Sequence, residues 1–283
     1  MPGTLYVVAT PIGNLEDITA RALRVLREVA LIAAEDTRHS RKLLNHFDIR
    51  TPLISCHEHN EQQRQEELIG RLLAGASIAL ISDAGTPAIA DPGYRLVRAC
   101  HAAGVPVIPV PGPSAILAAL SAAGEPTDRF IFEGFLPARA AARDKVLQGL
   151  RDEPRTVVLY ETPHRLLAAL AAMATVWGAE RPLVVARELT KLHEELFRGT
   201  VGAAQAHFGA ARVRGELVLV LPPHAAPSLV RDLPAVLREL LVDRQLPRKE
   251  AVKQVAKEFG VARSDVYRVS LEIDRGEGEQ GAE

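Results

Sequence analysis

The stretch LISDAGTPAIADPG, Leu80 to Gly93, begins as an apolar strand and breaks at Asp83 into a bend carrying Gly85, Thr86, Pro87, Asp91, Pro92 and Gly93. A plain strand-to-helix link needs few turn formers, so this density calls for a further task. Backbone groups in such a bend can hold a small ligand, with carboxylates for its hydroxyl or ammonium groups. Outward from it, short runs rich in Val, Ile, Leu and Ala recur: TLYVVAT from Thr4, ALIAAED from Ala30, PLISC from Pro52 and VPVIPV from Val105. Segments of helical periodicity, such as Thr19 to Val29 and Glu61 to Leu73, separate them. Apolar strands alternating with amphipathic helices predict a parallel sheet covered on both faces, here over residues 1–111.

The texture then changes twice. RFIFEGF from Arg129, RTVVLYET from Arg155, RPLVVARE from Arg181, HEELFRGTV from His193 and RGELVLVLP from Arg214 have fewer helices between them, which predicts a second α/β domain over 112–223 with a mixed sheet. After the Pro- and Ala-rich break at Leu221 to Ser228 only helices are expected: Leu233 to Leu241, Lys249 to Phe259 and Ser264 to Ile273, a small module over 229–274. The Gly/Glu tail, 275–283, is expected to be disordered.

With 47% hydrophobic and 24% charged residues in 283, the chain can bury sizeable cores. Lys and Arg number 34 against 35 Asp and Glu, so no global positive field marks a nucleic-acid partner, and any such binding must come from local patches. Two cysteines, Cys56 and Cys100, are too few for a disulfide framework. The N-terminus MPGTLYVVATPIGN lacks the basic start and apolar core of a secretory signal, and no apolar run approaches the roughly 20 residues that span a bilayer. A reducing cytoplasmic setting, without membrane contact, is expected.

In an open parallel sheet, ligands bind outside the carboxyl ends of the strands. Three loops there are unusual. One follows Thr10 with Pro11, Gly13 and Asn14, one is the bend after Asp83, and one runs Pro111, Gly112, Pro113, Ser114 into an apolar helix whose first N–H groups face polar ligand atoms. Together they outline one crevice. The chain has no G-x-G-x-x-G, no G-x-x-x-x-G-K-[ST], no H-E-x-x-H and no C-x-x-C, which disfavours dinucleotide enzymes, P-loop NTPases and common zinc hydrolases. In SCHEHNE, Ser55 to Glu61, only His57 and His59 could share a metal from one strand face, so a polar loop is the expected reading and no metal is assigned.

The ordered set TPIGNLEDIT, EDTRHSRKLL, SDAGTPAIADPG, PGPSAILAAL, GFLP, YETPHR and ARELTKLHEE resembles the tetrapyrrole methylase superfamily, and within it the bacterial 16S ribosomal RNA (cytidine-2′-O)-methyltransferases. The resemblance runs from Gly3 to about Leu221. It implies a two-domain tetrapyrrole methylase-like fold with S-adenosylmethionine between the domains, and a C-terminal helix-turn-helix-like module. It also implies a homodimer, and 16S rRNA or the small ribosomal subunit as substrate. Where the superfamily's cofactor loop reads Gly-Asp-Pro, this chain has Gly85-Thr86-Pro87, so a carboxylate is expected from Asp83 instead. By the same resemblance Ile89, Ser114 and Ala115 line the cofactor site, Pro163, Ala186 and Gly215 close over it, and Glu35, Asp36, Thr37 and Arg38 face the substrate.

Methyl transfer to a ribose hydroxyl requires alignment of the reacting atoms and removal of a proton. Asp36, Asp83, Glu161 and Glu188, at or near strand ends, are equal candidates for the base. Arg165, Arg187 and Lys191 are candidates for phosphate or a developing alkoxide, with salt bridges as the competing reading. For RNA, Arg38, Arg41 and Lys42 lie on one helix, and Lys249, Lys253 and Lys257 at four-residue spacing on another. Two alternatives stand beside this reading: a tetrapyrrole methyltransferase, disfavoured by only 4% aromatic residues with which to sandwich a macrocycle, and a ligand-sensing nucleic-acid-binding regulator, disfavoured by the intact cofactor loops.

Overall fold

Strands β1 (Leu5–Val8), β2 (Leu31–Ala34), β3 (Leu53–Ser55), β4 (Ile78–Ile81) and β5 (Val107–Val110) pair in parallel in the order β3-β2-β4-β1-β5. They belong to a computed structural model that describes residues 1–57, 60–210, 212–224, 233–243, 245–259 and 261–278. β2 and β4 are buried at every position because helices cover both faces. Side-chain alternation divides each strand between two cores. Ile32 and Ala34 pack with Val25 and Leu26 of α1 (Ala20–Glu28) and Leu44 of α2 (Thr37–His46). Leu31 and Ala33 pack with Leu68 and Leu72 of α3 (Glu61–Leu73) and with Leu96 and Cys100 of α4 (Tyr94–Ala102). Thr19 caps α1 through the Ala22 amide at 3.1 Å, where the periodicity of the sequence placed its start. Cys56 is buried in the second of these cores, and Glu58 and His59 lie outside the described residues.

Helix α5 (Ala115–Ala123) leads into the second sheet, made of β6 (Phe130–Phe135), β7 (Thr156–Glu161), β8 (Pro182–Arg187), β9 (Glu195–Thr200) and β10 (Leu217–Leu221). Its order is β6-β7-β10-β8-β9, with β6 and β7 parallel and the other pairs antiparallel, the mixed sheet expected of this half. β10 is buried throughout. Leu217, Leu219 and Leu221 face the layer of α6 (Ala140–Gly149), α7 (Pro163–Trp177) and α8 (Val201–Gly209), while Val218 and Val220 face α5. Both sheets belong to one compact unit, residues 1–224. No helix among the described residues is long and apolar enough to cross a membrane.

The second unit, 225–283, contains α9 (Leu233–Arg238), a π-helical turn (Glu239–Asp243), α10 (Arg248–Phe259) and α11 (Arg263–Gly278). Leu237, Leu240, Ala251, Val255 and Val266 form its core. Where a single helix to Leu241 was expected, the chain widens into the π turn, and the Leu240 carbonyl accepts from the Leu246 amide at 2.8 Å. Helix α11 continues to Gly278, into the tail expected to be disordered, while 279–283, and Gly260 between the last two helices, lie outside the described residues.

Truncation of Leu219, fully buried in the central strand of the second sheet, is expected to lower the unfolding free energy of L219A by about 2–5 kcal/mol. Chemical denaturation followed by circular dichroism checks this.

Candidate active site

Strands β4, β1 and β5 are neighbours, so the loops that leave their carboxyl ends lie side by side. Hydrogen bonds join the three into one structure. The Thr10 amide donates to the Gly85 carbonyl at 2.9 Å and the Gly85 amide returns a bond to Thr10 at 3.0 Å. The Thr10 hydroxyl donates to the Ser82 carbonyl at 3.2 Å, and that of Thr86 to the Pro113 carbonyl at 3.4 Å. Gly85 takes φ +79°, a left-handed conformation that glycine adopts without strain. Ala88 and Ala90 share that region at φ +67° and +60°, at a cost of order 1–3 kcal/mol each, and Ile89 between them is left 46% exposed.

These loops and the ends of the second sheet enclose a cavity of about 320 Å³. Of the residues expected around a cofactor, Asp83, Gly85, Thr86, Ile89, Ser114, Ala115, Pro163 and Gly215 stand in its wall. Ala186 is 1% exposed and packs beside Val184 and Val218 against α5, paired in register with Val218 of the wall. Ile12, Tyr160 and Glu216, which no motif singles out, join the wall, as does Asp91 of the bend. Phe135 joins it as well. A bulge between Phe132 and Gly134, the latter at φ +74°, shifts the register so that Phe135 stands opposite Tyr160 with ring centroids 5.5 Å apart.

The wall is acidic. Glu35 is held above the ordinary carboxylate range by burial, then by the charges of Asp91 and Asp83. Asp91 is raised by burial, partly offset by a hydrogen bond from Ser82, with Asp83 and Glu216 adding to the rise. The Tyr160 hydroxyl is pushed up to about 12, first by burial and then by Asp91 and Glu216. Glu161 is 2% exposed; its Oε1 accepts from the Thr162 amide at 2.8 Å and lies 3.6 Å from Arg165, whereas its Oε2 has no hydrogen-bond partner. A buried carboxylate oxygen left over in an acidic wall is matched by a cationic ligand rich in N–H donors.

The four base candidates part company here. Asp83 and Glu161 stand in the wall, and the Asp36 amide donates to Asp83 Oδ1 at 3.1 Å. The carboxylate of Asp36 instead caps α2 through the Arg38 amide at 2.8 Å, a bond that leads in holding its pKa low, and its side chain is 42% exposed. Glu188, at φ +52°, packs on Gly215 and accepts from Lys191 Nζ at 2.7 Å and from the Glu216 amide at 3.1 Å. Burial acts to raise its pKa, but the bonds from Lys191 and Glu216 prevail and hold it below the usual range.

The cations divide likewise. Lys191 bridges Glu188 and, at 3.1 Å, Glu216, while its stem crosses Gly13 where any Cβ would collide with it. Arg187 pairs with Glu195 at 2.7 Å, and Arg165 serves Glu161 and the Leu136 carbonyl. All three make salt bridges within the protein. Arg38 and Arg41 are exposed on α2, and Lys42 borders a second cavity of about 360 Å³. That cavity shares Ile12, Asp83, Ala84 and Glu216 with the first. In the other unit Lys249, Lys253 and Lys257 are exposed on α10, while Ala251, Val252, Val255 and Ala256 are buried. Among the described residues no group of His, Cys, Asp and Glu is arranged to hold a metal ion.

Comparison with known proteins adds four likenesses. The family model of tetrapyrrole (corrin/porphyrin) methylases matches residues 4–205. The chain is 51% identical over 276 residues to the ribosomal RNA small subunit methyltransferase I of Synechocystis, covering 96% of this chain and 99% of that protein. It is 53% identical to the protein of the same name from Pseudomonas aeruginosa, covering 95% and 97%. The crystal structure of uroporphyrin-III-C-methyltransferase from Thermus thermophilus superposes with a TM-score of 0.56 over 77% of this chain and 94% of that one; at 23% identity this is a likeness of fold alone.

Two outcomes follow from the site. Because the folded-state pKa of Glu35 lies above 4.5, its protonated form favours folding, and stability falls as pH rises through the raised value. E35Q is therefore expected to melt above wild type at pH 7, with the gain vanishing well below pH 4.5 in differential scanning calorimetry. G215A is expected to melt below wild type, because φ +87° disfavours alanine and its Cβ would displace Glu188 from Lys191.

Proposed function

The chain belongs to the tetrapyrrole methylase family and, within it, to the group of ribosomal RNA small subunit methyltransferases I, and from that premise we propose that it methylates the 2′-hydroxyl of a cytidine in the decoding centre of 16S rRNA. The observation that carries this reading is the position of Asp83, in the wall common to both cavities, so that a group in one can react with a group in the other.

S-adenosylmethionine is the methyl donor of the family, and bound in the first cavity it supplies an electrophilic methyl carbon on a sulfonium. The residues present fit that group. Ile12, Ile89, Leu217 and Val218 provide apolar surface, Glu35 and Asp91 offset positive charge, and Oε2 of Glu161 accepts from an ammonium or amino group. Gly85, Thr86, Ser114, Ala115, Pro163 and Gly215 complete the enclosure, which excludes water from the reacting centre. Asp83, oriented by the Asp36 amide, takes the proton of the ribose hydroxyl and later releases it to solvent. Lys191 sets the spacing of the walls by holding Glu188 and Glu216 together over Gly13.

Arg38, Arg41 and Lys42 on α2, and the lysine row of α10 in the other unit, hold RNA phosphates. The protein works in the cytoplasm as a homodimer on 16S rRNA or the small subunit, as expected of the family; sedimentation equilibrium tests the dimer.

The decisive assay offers labelled S-adenosylmethionine with small ribosomal subunits, free 16S rRNA and a tetrapyrrole precursor in parallel, followed by nucleoside mapping. Label is expected as 2′-O-methylcytidine at one RNA position. Label on the tetrapyrrole alone overturns the reading. D83N is expected to lose about 10²–10⁴ in kcat, measured at saturating S-adenosylmethionine.

A further inference from the structure

The second cavity has a feature that the methyl-donor site does not explain. Ser40, on α2, is 2% exposed and stands in its wall, and its hydroxyl has no hydrogen-bond partner. A serine in a helix commonly returns its hydroxyl to the carbonyl four residues earlier. Here the Asp36 carbonyl is engaged by the Ser40 amide at 3.0 Å and the hydroxyl is left over. An orphan hydroxyl in a buried wall is unfavourable by itself and marks a place where a polar ligand completes the bonding.

The remaining wall says what that ligand is. Pro11, Ile12 and Leu43 offer apolar surface to a flat ring, and Leu15, 36% exposed, stands at the margin. Lys42 brings positive charge for a phosphate. At about 360 Å³ the space accepts one nucleotide but no duplex, and its junction with the donor cavity is at Asp83. A ribose hydroxyl reaches Asp83 from this side only if its nucleotide leaves the base stack, as enzymes acting inside nucleic acids require.

We propose that the second cavity receives the target nucleotide extruded from its RNA stack, with the Ser40 hydroxyl bonded to the edge of the pyrimidine and the ribose turned toward Asp83. This rests on the RNA-methyltransferase reading and identifies how its substrate enters.

The test uses the full-length protein and small ribosomal subunits. Wild type is assayed first and the modified nucleoside is mapped; absence of RNA methylation overturns the parent reading and with it this one. Given wild-type activity, S40A is expected to raise KM for the subunit about fivefold, the loss of one hydrogen bond, with an unchanged Kd for S-adenosylmethionine by calorimetry. L15W, which fills the margin, is expected to abolish transfer to RNA while binding S-adenosylmethionine as wild type does. Wild-type KM for RNA in both folded variants overturns the proposal. Equal loss of donor affinity in both also overturns it, because the cavity would then belong to the cofactor.

Discussion

The paired backbone hydrogen bonds between Thr10 and Gly85 are the constraint on which the cleft depends. Both residues lie beyond the ends of their strands, where loops ordinarily diverge. By extending the contact of β1 and β4 past Val8 and Ile81, the pair fixes Ile12 and Asp83 relative to each other, and these two residues belong to both cavities. The bond from Thr86 to Pro113 adds the loop after β5 to the same block. The geometry at Asp83 thus rests on backbone bonds and a left-handed glycine, with few rotatable side chains in between.

Charge is managed in two tiers around that block. Glu35, Asp83, Asp91 and Glu161 line the first cavity, and burial, followed by repulsion from neighbouring carboxylates, raises Glu35 and Asp91. At the margin, Lys191 neutralises Glu188 and Glu216, and Gly13 and Gly215 supply the room it needs. The wall therefore holds more negative charge than its neighbours compensate. A cationic ligand would relieve that excess.

Much of this was legible along the chain. Each apolar run became a strand, since a run of four or five residues bounded by turn formers has few other folds in an α/β context, and the loops after Thr10, Asp83 and Val110 converge as their composition implied. The roles of Arg165, Arg187 and Lys191 were not decidable locally. Lys191 is matched by Glu216 far along the chain, a pairing made only by the antiparallel contact of β8 and β10. Ala186 pairs in register with Val218 of the cavity wall, a neighbourhood made only by the contact of β8 with β10. Tyr160 and Phe135 read as ordinary strand aromatics until the bulge in β6 set them side by side.

The order of strands in the second sheet bears on how the protein comes into being during translation. β10, last of the strands to be synthesised, sits at the centre between β7 and β8, and both faces of the sheet use it. The first sheet has all its strands once Val110 has emerged, whereas β6 with β7, and β8 with β9, remain separate pairs until Leu221 is available. Gly215, Glu216 and Leu217 of the cavity wall arrive at the same moment. While residues 111–221 are being made, a nascent chain therefore has every strand of its first sheet and an unassembled cleft. A truncated product that stops short of Gly215 would lack the central strand of the second sheet together with Gly215, Glu216 and Leu217 of the cavity wall.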